Sequence, residues 1–244
     1  MTQRRGFLRE LIGVVLPALA IAVAIQTFLM KPFRIPSGSM LPNLFVGDYL
    51  FVSKYSYGYS RYSFPFAPRL FTGRIMAAPP QRGDVVVFRL PLNDAEDYIK
   101  RVIGLPGDAV QMIGGVLHIN GQPVARERLD DFVLRETGGV VRGRRWRETL
   151  PKGVQHTTLD LDPAGPGDDT LLYRVPAQHY FMMGDNRDDS ADSRMLSMVG
   201  YVPFENIVGR AEFIFFSVGA GAGAWEFWRW PWTIRWARMF MAVR

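Results

Sequence analysis

The 244-residue chain contains no cysteine. That excludes disulfide scaffolds, thiolate nucleophiles and cysteine-based zinc sites, and it leaves the redox compartment open, because a chain without thiols is indifferent to it. Lysine is scarce. Only Lys31, Lys54, Lys100 and Lys152 occur, so the formal net charge of +6 is carried almost wholly by arginine. Imidazole is limited to His118, His156 and His179. No internal repeat of roughly 20–50 residues is present, and after residue 30 no long stretch keeps a 3.6-residue apolar period until the C-terminus. What is there is ordinary globular material: 48% of residues are hydrophobic and 21% charged, which excludes wholesale disorder. The length allows one large domain, or one domain with a sizeable subdomain. A basic balance suits nucleic acid and anionic lipid equally, so position must decide.

Position separates them at the N-terminus. Residues 1–10 carry Arg4, Arg5 and Arg9, and residues 11–30 then run without a charge before Lys31 and Arg34. At 1.5 Å per residue this is about 30 Å, one hydrocarbon thickness. Gly13 and Pro17, costly in a soluble helix, are tolerated in a spanning one. The other readings are a buried soluble helix and a cleaved secretory signal, with Ala20-Ile21-Ala22 or Ala22-Val23-Ala24 as its processing site. Apolar character that continues through Phe28, Leu29 and Met30 favours a retained transmembrane anchor. The arginines ahead of the span favour a cytoplasmic N-terminus and a chain whose bulk lies outside.

The remainder reads as mostly β. Short β-branched or aromatic runs recur at 48–54, 84–89, 97–103, 109–113, 116–120, 178–183 and 208–216, each bounded by Gly, Pro, Asp or Asn. Asn120-Gly121 and Gly114-Gly115 are hairpin turns. The pattern predicts a β-rich core in two parts, 31–113 and 178–218, with a hairpin or surface-loop insertion at 53–80 and a smaller variable β cap subdomain over 114–177. The basic cluster at Arg142–Arg147 reads as a solvated face.

Three segments hold chemistry. In Arg34-Ile-Pro-Ser-Gly-Ser-Met-Leu-Pro-Asn-Leu44, prolines stiffen the flanks and Gly38 lets the backbone turn, so that Ser39 presents its hydroxyl beside unpaired N–H groups. A loop of no special role reads the same way, and the segment is not a Gly-x-Ser-x-Gly elbow. A serine nucleophile needs a base, and the histidines sit at a strand end, in the polar insertion and at a strand start. Lys100 is the better candidate. Strand alternation puts it on one face with Tyr98 and Val102, where desolvation favours the neutral amine; a solvent-facing lysine beside Arg101 is the bland alternative. Met183-Gly-Asp-Asn-Arg-Asp-Asp-Ser-Ala-Asp-Ser-Arg194 lacks the spacing of a calcium loop and otherwise reads as a tight structural turn.

Taken in order, the apolar span, Pro-Ser-Gly-Ser-Met-x-Pro, Arg82-Gly-Asp-Val-Val-Val-Phe88, Asp97-Tyr-Ile-Lys-Arg-Val-Ile-Gly-Leu-Pro-Gly-Asp108 and Gly-Asp-Asn-Arg-Asp-Asp-Ser-x-Asp-Ser-Arg resemble bacterial type I signal peptidase. With Val202-Pro203 and 207–211 these segments cover most of 33–113 and 178–216. The resemblance implies a membrane-anchored serine endopeptidase of the bacterial plasma membrane that cleaves secretory preproteins after Ala-x-Ala-like ends, without metal or cofactor. It implies Ser39 as nucleophile, Lys100 as general base, Ser37 with the Ser39 N–H as oxyanion hole, Ser190 orienting the lysine, and Asp192 and Arg194 in support. Phe33, Ile35, Met40, Leu44, Leu50, Tyr98 and Ile99 are then expected to line the pockets for small side chains. Asn43 departs from the family's usual threonine and is expected to matter little. Two rivals remain. One is a self-cleaving Ser-Lys repressor of the LexA type, which the apolar span and the lack of a helix-turn-helix pattern oppose, as they oppose a nucleic-acid partner. The other is a non-catalytic anchored β-protein.

The last segment, 219–244, mixes Trp225, Trp228, Trp230, Trp232 and Trp236 with Arg229, Arg235, Arg238 and Arg244. From Trp232 onward Trp232, Trp236, Met239, Phe240 and Val243 would share one helical face. This predicts a helix lying in the membrane interface and contacting lipid, with packing on the β domain as the alternative.

Overall fold

The computed structural model describes residues 2–69, 71–136, 139–219 and 226–243; Trp225 and Arg244 lie outside them. Helix α1 (Thr2–Phe28) contains the apolar run up to Phe28, with Leu29 and Met30 beyond its end, and Leu11–Phe28 is long and apolar enough to cross a membrane. Its Leu11, Val14, Leu16, Leu19 and Ile21 are exposed, so this apolar surface has no partner among the described residues.

The rest is mostly β, with fifteen strands among the described residues: β1 (Met30–Arg34), β2 (Asp48–Ser53), β3 (Val85–Leu90), β4 (Asn93–Gly104), β5 (Ala109–Ile113), β6 (Val116–Ile119), β7 (Gln122–Pro123), β8 (Ala125–Arg128), β9 (Phe132–Glu136), β10 (Gly139–Thr149), β11 (Gln155–Asp160), β12 (Tyr173–Arg174), β13 (His179–Met183), β14 (Val202–Pro203) and β15 (Ile207–Ser217). Seven form one antiparallel sheet in the order β1-β2-β15-β3-β4-β13-β14. β3, whose Val85–Phe88 are all buried, reads as a continuous apolar run because it is covered on both faces. β4 behaves differently along its length, exposed at Asn93–Glu96 and buried from Ile99 on. Lys100 therefore lies where the strand enters the core.

Two four-stranded sheets complete the fold. β11-β10-β8, with β9 paired to β10, makes one; β12-β5-β6-β7 makes the other. β5, assigned from sequence to the first part of the core, pairs with β6 and β12 and not with the large sheet.

The insertion after Ser53 is a folded brace. Tyr59 and Ile75 form an antiparallel bridge, and the Arg74 guanidinium donates to the carbonyls of Tyr57, Gly58, Phe204 and Ile207 at 2.7–3.0 Å. Against α1, the Tyr59 hydroxyl donates to Phe28 O at 2.8 Å, and the rings of Tyr59 and Phe64 meet Phe28 edge-on at 5.8 and 6.0 Å.

The continuous helix expected from Trp232 is not formed. The chain makes one turn, α2 (Trp230–Thr233), and bridges Val218 with Ile234 and Phe213 with Ala242. The cause is a buried carboxylate. Asp48, fully buried, accepts Arg238 Nη2 at 2.6 Å and Nε at 3.0 Å, and the Arg238 guanidinium lies 3.9 Å from the Phe45 ring centre. Arg238 thus turns inward, as does Arg235, which donates to Val46 O at 3.0 Å, while Trp228, Trp232, Trp236 and Phe240 stay exposed.

Candidate active site

Backbone pairing with β2 persists one residue past β1, through Ile35 N to Asp48 O. Pro36 then frees the chain, and a turn closes from Leu41 N to Gly38 O at 3.0 Å. The 183–194 loop grips this turn: Asn186 N donates to Ser39 O at 3.1 Å and Asn186 Nδ2 to Gly38 O at 3.2 Å. Gly184 allows the approach, since a Cβ there would stand 2.6 Å from Ser39 O and 2.2 Å from Ser190 Oγ.

Lys100 Nζ and Ser39 Oγ are 2.5 Å apart, and Ser37 Oγ is 3.4 Å from Ser39 Oγ. Lys100 is 4% exposed. Burial pulls its pKa from 10.5 to about 8, against the opposing pull of the Asp192, Asp185 and Asp189 carboxylates. At such a pKa roughly one molecule in ten carries the neutral amine at pH 7, enough for a base that is refilled by proton exchange.

Both residues face a cleft of about 440 Å³. Among the expected pocket residues, Phe33, Tyr98 and Ile99 line it. Ile35, Met40, Leu44 and Leu50 do not. They are fully buried and pack with Ile99 in the core cluster beneath, with Phe33 against its edge. Pro36, Glu96, Asp97, Asp189 and Ala191, not anticipated, also line the cleft. None of the three histidines does.

Beside Lys100, Arg101 points the opposite way, as strand alternation requires. It is fully buried and meets Asp185 through two bonds of 2.7 Å, with a third to Gly83 O at 2.7 Å. Asn43 Nδ2 donates at 2.7 Å both to Asp185 Oδ2 and to Thr157 O, so the residue expected to matter little ties the serine turn, the 183–194 loop and β11 together. The smaller sheet adds Glu148, which pairs with Arg187 at 2.6 Å. His156 Nε2 lies 3.5 Å from Glu148, and burial together with Arg101 and Arg187 holds the ring's pKa well below 6.5. These links join residues far apart in sequence, and no local pattern announces them.

Asp192 and Arg194 form the expected support, paired at 2.9 Å, with Gly184 N donating to Asp192 at 3.0 Å. Burial, the largest single influence, pushes Asp192 up, but the Arg194 charge and the hydrogen bonds from Arg194, Gly184 N and Ser190 together outweigh it and the carboxyl pKa is lowered. Ser190 differs from expectation. Its hydroxyl makes no hydrogen bond to Lys100 and lies beside Asp192, whose carboxyl pKa it helps to lower, and the contact made by Lys100 Nζ is to Ser39.

The family described as signal peptidase, peptidase S26, matches residues 8–216. Signal peptidase I of Rickettsia typhi is 43% identical over 208 residues, covering 82% of this chain and 76% of that protein. Signal peptidase I of Rickettsia canadensis is 44% identical over 209 residues, covering 81% and 76%. A crystal structure of a signal peptidase I from Enterococcus faecalis is 27% identical, covers 55% of this chain and 97% of that one, and superposes with a TM-score of 0.31. On the matched span and on the identity to these relatives, the chain belongs to the signal peptidase S26 family, serine-type peptidases that remove signal peptides.

Proposed function

We propose that Ser39 and Lys100 are the catalytic dyad of a membrane-anchored signal peptidase. The observation that carries this reading is the 2.5 Å approach of Ser39 Oγ to a buried amine at the wall of an open cleft. Neutral Lys100 takes the Ser39 proton as Oγ attacks the carbonyl of the scissile bond. The Ser39 N–H and the Ser37 hydroxyl receive the developing oxyanion. The ammonium returns its proton to the leaving amine, and neutral lysine then activates water to release the acyl group. Ser190, Asp192 and Arg194 position the base.

The preprotein lies extended in the cleft between the Phe33–Ser39 segment and β4, with main-chain hydrogen bonds supplying affinity. Phe33, Tyr98 and Ile99 leave room for small side chains only, which yields cleavage after Ala-x-Ala ends. Helix α1 crosses the plasma membrane with residues 1–10 in the cytoplasm, and the β domain stands on the outer face. The exposed Trp228, Trp232, Trp236 and Phe240 touch lipid.

The test is incubation of detergent-solubilised full-length protein with a preprotein, followed by mass spectrometry of the products. Cleavage after a small-x-small triplet is expected. No cleavage, or cleavage without regard to the residues before the bond, would refute the reading.

A further inference from the structure

Where α1 meets the β domain, three basic side chains converge on one cavity of about 150 Å³, well beyond the space that a single water needs. Lys31 comes from β1, Lys54 from the residue after β2, and Arg89 from β3; Gln26 and Thr27 come from the last turn of the helix. No carboxylate lines the cavity. The carboxylate bonded to its cations is Asp97, shared by Lys31 Nζ at 2.9 Å and Arg89 Nε at 3.2 Å. Lys54 is 5% exposed, and its Nζ donates to the Ser63 carbonyl at 2.5 Å. Three cations around one carboxylate leave an excess of positive charge in a partly buried site, where charges ordinarily find counter-charges.

Two further observations point to a ligand. Thr27, 4% exposed, lines the same cavity, and its Oγ1 has no hydrogen-bond partner. The Lys54 amine is held to a pKa of about 8 by burial and then by repulsion from Lys31; an anion would restore its charge. Location supplies the anion's identity. Residues 26–31 bracket the C-terminal end of the apolar span, so the cavity opens at the depth of phospholipid headgroups. The aromatic rim includes Phe66, whose side chain is wholly exposed, as residues at that depth are.

We propose that this cavity binds the phosphate of an anionic phospholipid headgroup, with Lys31, Lys54 and Arg89 as its charged donors and the Thr27 hydroxyl as a neutral one. The lipid's acyl chains run beside α1. The inference rests on α1 spanning the membrane, and it goes beyond the peptidase reading in giving the anchor a docking point for one lipid.

The experiment uses full-length protein in a phosphate-free, non-ionic detergent and follows its thermal unfolding. Short-chain phosphatidylglycerol should raise the Tm saturably, at a concentration at least about tenfold below that at which inorganic phosphate acts. Lys31→Gln, at a half-exposed position, and Lys54→Gln should each raise the half-saturating lipid concentration about tenfold or more. If Lys54→Gln does not fold, Lys31→Gln carries the comparison alone. Wild-type response in a folded variant would overturn the site. Equal potency of inorganic phosphate would overturn the lipid assignment. Flotation with phosphatidylglycerol vesicles separates this from the anchor: wild-type protein that stays at the bottom refutes the spanning helix, whereas protein that floats while Lys31→Gln binds lipid normally refutes only the cavity.

Discussion

Two lysines of this chain expose nearly the same small fraction of their surface, and both are pulled from 10.5 to about 8. Their surroundings set them apart. Lys100 lies among Asp185, Asp189 and Asp192, and its amine meets a serine hydroxyl at the wall of the cleft. Lys54 lies among Lys31, Arg89 and the single carboxylate of Asp97, and its amine meets a carbonyl that has no proton to give. A depressed lysine pKa is therefore not a mark of catalysis; a neutral amine becomes a base only where an acidic proton sits within hydrogen-bond reach.

The sharpest way to break this comparison is to keep both charges and remove only the ability to lose them. Lys100→Arg, like Ser39→Ala, should lower preprotein cleavage by at least about a thousandfold, because arginine stays protonated. Lys54→Arg should keep cleavage within about threefold of wild type. Steady-state kcat/KM on one preprotein reads both, and comparable losses at the two positions would erase the distinction.

Next in size is the ion pair beneath the dyad. Asp185→Asn leaves Arg101 buried without its counter-charge and should cost about 3–5 kcal/mol, measured by denaturant unfolding. A change below about 1 kcal/mol would show that Arg101 does not depend on this counter-charge and that neutral acceptors such as the Gly83 carbonyl suffice. Ser190→Ala should lower kcat about tenfold with little change in Tm, as expected of a residue that positions the base. Unchanged kcat would leave Ser190 as packing against Gly184.

The smallest effect concerns stability and pH. Each lysine binds a proton more weakly folded than unfolded, so the unfolded state holds more protons between about pH 8 and 10, and both should make stability rise with pH across that window. Lys54→Met removes one of the two titrations. It should flatten, without abolishing, the rise in Tm from pH 8 to 10; an unaltered slope would mean that Lys54 is not buried as a cation.

Much of this was legible in the residues themselves. The span of α1 and the buried run of β3 follow from unbroken apolarity, and the placement of Lys100 and Arg101 on opposite faces of β4 follows from alternation. The proposed dyad came from the ordered motifs, since β4 alone allowed a surface lysine. Other features were hidden by distance along the chain. Asp48 captures Arg238 across 190 positions and so dismantles a helix that local periodicity favoured. Asn43, Glu148 and Arg187 acquire their roles only through contacts between sheets. Lys54 went unremarked because its neighbours Lys31 and Arg89 arrive from other strands. Hydrophobic pattern records which face is buried, but not which charge it will meet.

The most direct test of the central claim is the pH dependence of kcat/KM for preprotein cleavage by the full-length enzyme. A neutral Lys100 acting on Ser39 predicts a rate that climbs tenfold per pH unit below about pH 8 and levels off above it, as the free amine fills. A limb centred near pH 6, or a rate flat from pH 6 to 9, would contradict lysine as the base.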